Sequence, residues 1–254
     1  MNQNNQYAAD PNQQVPTRGT GGSTGAIITA VAVVGGIGFL LCCGILVGLM
    51  LPAVQAAREA ARRMQCQNNM RQVALALLNY ETTYGSFPPA YTVDADGQPL
   101  HSWRTLILPY MEQKNLYDQI DLSKPWDDPV NQPFNDLTIM TYVCPSTALP
   151  PGKTTYVAPI HPQGVFSGSE ATKIQDITDG LSNTLLVVEV DEANAVSWME
   201  PNDIDSVLFP TGTAHTGGGN AALADGAVNF ISDAIDPVVR DAMVTKDGGE
   251  AVGF

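Results

Sequence analysis

Residues 26–51 hold no charged side chain in 26 consecutive positions, and this run constrains the fold more than any other feature. As a helix rising about 1.5 Å per residue it is roughly 39 Å long, more than the roughly 30 Å of a bilayer's hydrocarbon core. A core helix with no polar face would need a much larger protein around it than a 254-residue chain provides. The run is also too long for the apolar region of a signal peptide, and no small-x-small cleavage site follows it. A single transmembrane helix is therefore expected. Gly44 and Gly48 within it form a G-x-x-x-G pair, a spacing that lets helices approach closely in lipid. Cys42 and Cys43 read as apolar filler, because no small residue precedes Cys42 as lipid attachment would require.

The flanks differ sharply. Residues 1–25 include eight Asn or Gln and only two charges, Asp10 and Arg18, so this tail is expected to be disordered. Beyond the span, Pro52 is followed by the helix formers of residues 53–63. Apolar positions then recur in steps of four and three at Cys66, Met70, Val73, Leu77, Tyr80 and Tyr84, with Ala74 and Leu78 beside them. Gly85 and Pro88-Pro89 supply the stop. Pro52 is expected to kink the helix rather than end it, making residues 52–84 a stalk. Residues 85–254 read as a globular head, mainly β with irregular loops. Strands are expected at 140–144, 154–158, 184–190 and 195–199, with a short amphipathic helix at 103–112. A hairpin across 221–231 would turn at Asp225-Gly226. The fold class is α+β, a long N-terminal helix packed on a mainly antiparallel β head.

Charge and motifs narrow the chemistry. Up to Arg71 the chain holds five of its 12 basic and two of its 26 acidic residues, leaving a net charge of −17 on the remainder. That balance argues against a nucleic-acid partner, which needs a basic face. Arg58, Arg62 and Arg63 follow the span, where anionic lipid head groups are the natural counter-charge. His215-Thr216-Gly217-Gly218-Gly219-Asn220, followed by Asp225-Gly226, is the most site-like passage. His215, Asn220, Asp225 and Gly226 would converge on a cation or polar ligand. In the simpler reading His215 bonds a buried backbone carbonyl and Asp225 shapes the hairpin turn. Three histidines without Cys or His partners at ligand spacing argue against zinc. Head carboxylates leave calcium open, although Asp94-Ala95-Asp96-Gly97 lacks the rest of an EF-hand loop. Gly152-Lys153-Thr154 lacks the upstream glycine of a phosphate loop, and neither G-x-S-x-G nor H-E-x-x-H occurs. No cofactor and no enzymatic activity are expected.

Several ordered stretches carry a family resemblance. They are Gly44 to Leu51 followed by Pro52-Ala53-Val54-Gln55-Ala56-Ala57-Arg58-Glu59-Ala60-Ala61-Arg62-Arg63, then Cys66-Gln67-Asn68-Asn69-Met70, Tyr84-Gly85-Ser86-Phe87-Pro88-Pro89 and Trp103-Arg104. Leu108-Pro109-Tyr110, Cys144-Pro145-Ser146, Asp179-Gly180, Ser182-Asn183-Thr184 and His215 nine residues before Asp225-Gly226 complete the set. The chain resembles a bacterial family of type IV pilin-like and pseudopilin-like proteins, a domain of unknown function (number fifteen fifty-nine) with a C-terminal H-X9-DG motif. The resemblance implies a single-pass helix in the inner membrane and an extracytoplasmic head. It also implies a non-enzymatic role in assembly or interaction, with the bilayer and other pilin-like or secretion-system subunits as partners. One departure matters: the pilin-type cleavage point would fall between Ala30 and Val31, and the position of the buried pilin glutamate holds Gly35. Processing by prepilin peptidase is therefore not expected. The arginines after the span favour a cytoplasmic body by the positive-inside rule, and the resemblance favours the opposite side, which is the expectation adopted. A disulfide between Cys66 and Cys144 would join helix to head in an oxidising compartment. The alternative function is a tethered ligand-binding or hydrolytic head using the His215/Asp225 region.

Overall fold

A computed structural model describes residues 23–205 and 215–249. The tail expected to be disordered therefore lies outside the described residues except for its last three positions, and these are already helical. Helix α1 is continuous over Ser23–Tyr84, 62 residues. Its residues divide between two compact units, 1–56 and 57–254.

In the first unit the large apolar side chains from Ile27 to Leu51 are all exposed, between 53% at Ile37 and 70% at Val34 and Leu40. The mean hydropathy reaches 2.6 over 18 residues, so the helix is long and apolar enough to cross a membrane. So much unburied hydrocarbon on a helix is unfavourable in water and calls for apolar surroundings. Nothing lies within 4 Å of where a Cβ would stand on Gly44 or Gly48, so this face is open to close approach. The helix runs through Pro52 without interruption. There the pyrrolidine removes one backbone donor and leaves the carbonyl of Gly48 without its usual partner.

The second unit contains the rest of α1. Cys66, Met70, Val73, Ala74 and Leu77 are fully buried, as the four-and-three spacing requires, and Ala76 joins them. The stripe ends earlier than expected: Tyr84 is 63% exposed, its ring tilted against that of Tyr80 with centres 4.4 Å apart. Gly85, at φ +76°, then turns the chain out of the helix.

Strands β1 (Tyr91–Val93) and β2 (Pro99–Ser102) form an antiparallel ribbon that leads into the short helix α2 (Trp103–Leu106). The helix expected across 103–112 is split, because Pro109 cannot continue the α-helical ladder. Leu108–Met111 is instead a 3-10 turn ending at Glu112 in a left-handed conformation. Helices α3 (Lys114–Tyr117) and α4 (Gln132–Asn135) follow. The central sheet contains β4 (Tyr156–Val157), β6 (Leu185–Glu189), β9 (Gly218–Leu223) and β10 (Val228–Ser232), antiparallel in the order β10-β9-β6-β4. Two small pairings flank it. Strand β3 (Lys153–Thr154) runs antiparallel to β7 (Val196–Ser197), and β5 (Pro159–Ile160) runs parallel to β8 (Ile204–Asp205). Helix α5 (Pro237–Val244) closes the described chain, with the Asp236 side chain accepting from the Val238 N–H at its start. The class is α+β, with an N-terminal helix on a mainly antiparallel head.

Two of the expected strands differ. Residues 140–142 form a 3-10 turn, because side chains take the carbonyls a ladder would need. Asn69 Nδ2 donates to Met140 O and Val143 O, and Thr154 Oγ1 donates to Tyr142 O. The expected strand at 154–158 is broken at Thr155, where Thr154 Oγ1 accepts from the Tyr156 N–H and the chain changes sheets. A Cys66–Cys144 disulfide ties α1 to the segment after the 3-10 turn. Cys42 and Cys43 are free thiols.

One buried ion pair pins the loops over the core. Arg104, wholly buried, pairs with Asp203, and also donates to Tyr156 O at 3.0 Å and to Ser102 Oγ at 2.7 Å. Asp203 accepts further hydrogen bonds from the Ala158 N–H at 2.7 Å and from Trp103 Nε1. Each charge is thus compensated where isolation would be costly.

Candidate functional site

Strand β6 reads Leu-Leu-Val-Val-Glu, and all five residues are buried. A carboxylate inside such an apolar run needs partners. Glu189 Oε2 accepts from Asn220 Nδ2 at 2.7 Å and from the Asn220 N–H at 3.3 Å, and His215 Nε2 lies 3.4 Å away. Glu189 Oε1 and Asn220 Oδ1 have no hydrogen-bond partner among the described residues. The opposite imidazole nitrogen, His215 Nδ1, is 3.3 Å from Glu59 Oε1 on α1. Glu59 is itself bound by Arg62 Nε at 2.9 Å and by Ser146 Oγ at 3.3 Å. His215 Nε2 also lies 3.7 Å from Cys144 Sγ. One imidazole therefore sits between a half-exposed and a fully buried carboxylate, against the disulfide.

The electrostatics follow from that placement. The hydrogen bond to Glu189 raises the His215 pKa above its ordinary value against the opposing effect of burial, and Glu59 adds to the rise. Glu59 is held below the usual carboxylate range, chiefly by Arg62 and also by His215.

The glycine run makes this possible. Gly217 has φ +84°, and the Gly218 N–H returns to His215 O, forming a tight bridge. A Cβ at Gly218 would stand 2.1 Å from Ile231 O and 2.8 Å from the Phe230 ring, so only glycine lets β9 lie against β10 here. Phe230 in turn carries the Arg63 guanidinium 3.5 Å over its ring centre, tying β10 to α1.

The structure brings together two of the four residues singled out in sequence, His215 and Asn220. It does not bring in Asp225 and Gly226. These form the β9–β10 turn, where the Asp225 carboxylate accepts from the Ala227 N–H and its own N–H donates to Leu181 O. Asp225 lies five positions beyond Asn220 along the chain, roughly 16 Å if extended. Gly226 has φ +85°, and a Cβ there would meet Leu78 at 2.9 Å. His215 is bonded to the side-chain carboxylates of Glu59 and Glu189. Glu59 and Glu189 escaped the sequence reading. The signal for Glu189 was present: an acidic residue inside Leu-Leu-Val-Val-Glu-Val has to be partnered.

Helix, sheet and cluster together define an α+β head, disulfide-linked to a helix whose N-terminal portion is apolar enough for a bilayer. The chain belongs to the family described as "Protein of unknown function (DUF1559)", which it matches over residues 55–156 and 148–207, more than half its length. No curated protein and no solved structure matches it.

Proposed function

We propose that this protein is a single-pass, pilin-like envelope protein of the inner membrane, with an extracytoplasmic head and a non-enzymatic role in assembly or interaction. The observation that carries this reading is α1 itself. Its first portion exposes large apolar side chains from Ile27 to Leu51, while the same helix from Cys66 onward supplies a fully buried stripe to the head. The Cys66–Cys144 disulfide supports the extracytoplasmic side, because such bonds persist in oxidising compartments. Partners on this reading are the bilayer and other pilin-like or secretion-system subunits, with the open Gly44/Gly48 face as the contact within lipid. Gly35 at the pilin glutamate position favours a chain that is anchored permanently rather than cut by prepilin peptidase.

Cell fractionation tests it. The full chain is expected to stay in the membrane pellet through an alkaline carbonate wash and to be released by detergent. Cross-linking within the membrane is expected to capture complexes that Gly44→Ile with Gly48→Ile removes. Release by carbonate alone would overturn the anchor, and unchanged cross-linking would overturn the contact face.

A further inference from the structure

We propose that Cys66, Cys144, His215 and Glu189 form a site with two exclusive states, the disulfide and a tetrahedral complex of a thiophilic divalent cation of the zinc class. The four residues come from 66, 144, 189 and 215, so no ligand spacing is visible in sequence. All four are buried, and their ligand atoms lie within 4.8 Å of one another. Zinc takes sulfur at about 2.3 Å and nitrogen or oxygen at about 2.0–2.2 Å, so a tetrahedral site has S···N edges of about 3.5 Å and N···O edges of about 3.4 Å. Cys144 Sγ to His215 Nε2 is 3.7 Å, and His215 Nε2 to Glu189 Oε2 is 3.4 Å.

The surroundings match those of a metal centre. A ligating imidazole usually donates its other N–H to a carboxylate, and ligating carboxylates are themselves hydrogen-bonded. Glu59 Oε1 stands 3.3 Å from His215 Nδ1, leaving Nε2 as the ligand atom, and Asn220 Nδ2 orients Glu189. Glu189 Oε1, buried and without a hydrogen-bond partner among the described residues, is a second observation that points to a cation ligand.

The exchange balances. A dithiol delivers two electrons and two protons to the S–S bond and becomes a cyclic disulfide, leaving Cys66 and Cys144 as thiols. The cation then displaces both thiol protons, together with any proton on His215 Nε2. In the reverse direction a cyclic disulfide exchanges with the two thiolates, takes their two electrons and two protons from solvent to become a dithiol, and the S–S bond re-forms as the cation leaves. Glu59, which accepts a hydrogen bond from Ser146, positions His215, and neither is a ligand.

Cobalt(II) is the probe, added to the detergent-solubilised full chain carrying Cys42→Ser and Cys43→Ser, which removes the other two thiols. After anaerobic reduction with a phosphine and desalting, one equivalent of cobalt is expected to bind, with thiolate charge-transfer absorption and the intense visible bands of tetrahedral coordination. Zinc should displace it, and the oxidised chain should bind none. His215→Ala and Glu189→Gln should each weaken cobalt binding by at least about tenfold. If reduction loosens the head, zinc should restore its near-ultraviolet circular dichroism. Three outcomes would overturn the proposal: no charge-transfer band in the reduced chain, equal binding by both variants, or a loosened head that zinc does not restore.

Discussion

Arg104 shows how much one residue carries in this head. Its guanidinium is wholly buried and is neutralised by Asp203. Removing one partner leaves the other charge buried and unpaired, which costs about 3 to 5 kcal/mol. Arg104→Met and Asp203→Asn are each expected to lower the urea unfolding free energy of the detergent-solubilised chain by that amount, and a loss below about 1 kcal/mol would show that the pair is not a structural pin. His215 makes a pH prediction for the disulfide-bonded chain. It faces Glu189 and Glu59, with Arg62 behind Glu59 and Cys144 at its side. Its folded pKa is raised, so its stabilising contribution is complete below the unfolded value of about 6.5 and is lost as pH rises through the higher folded value. The urea midpoint should therefore fall from pH 6 upward more steeply than in His215→Gln, whose curve should be flatter over that interval. His215 and Asn220 were legible in sequence as members of a glycine-rich motif. Glu59 was hidden in a helix-forming run, and what joins it to His215 is a contact 156 residues away in the chain. Spacing rules cannot see such a contact.

At the level of elements, the helix was legible nearly in full because residues 26–51 are an unbroken uncharged run and, from Cys66 to Tyr84, a 3.6-residue period repeats over several turns. Short strands offer no such averaging. Residues 140–144 have strand-forming side chains, yet Asn69 and Thr154 take their carbonyls and the segment turns instead. Strand β6 and the β9–β10 hairpin emerged as expected, since one is a continuous apolar run and the other is marked by Asp225-Gly226, and the strand expected at 195–199 is present in shortened form as β7. What holds the irregular segment to α1 is the disulfide, which closes a loop with a sequence separation of 78. A loop of that size corresponds to about 4.5 kcal/mol in the chain-entropy account. Cys66→Ala with Cys144→Ala is expected to lower unfolding stability by about that much, measured without added metal, with the spectrum of the folded state kept at low denaturant. A change below about 1 kcal/mol would mean that α1 docks on the head through its apolar stripe alone.

For the whole molecule, the proposed membrane anchor can hold the head on either side of a bilayer, and two physical rules disagree on which. Arg58, Arg62 and Arg63 follow the apolar run while only Arg18 precedes it, which by the positive-inside rule favours a cytoplasmic head. In the folded head, however, Arg62 is paired with Glu59 and Arg63 lies over Phe230, so two of these three charges have partners within the protein. The disulfide argues for the other side, since reducing compartments do not sustain a structural S–S bond. Asp203 is buried by its ion pair and is a poor reporter, whereas its neighbour Asn202 is exposed. Asn202→Cys in a chain carrying Cys42→Ser and Cys43→Ser therefore places one reactive thiol on the head, because Cys66 and Cys144 are bonded to each other. A membrane-impermeant maleimide is expected to label it in intact spheroplasts as fully as after detergent. Labelling only after detergent would put the head in the cytoplasm, where the positive-inside arginines would be obeyed and the two cysteines would be thiols. The four-ligand cluster would then be in its metal-binding state in the cell, and the extracytoplasmic, pilin-like reading would fall.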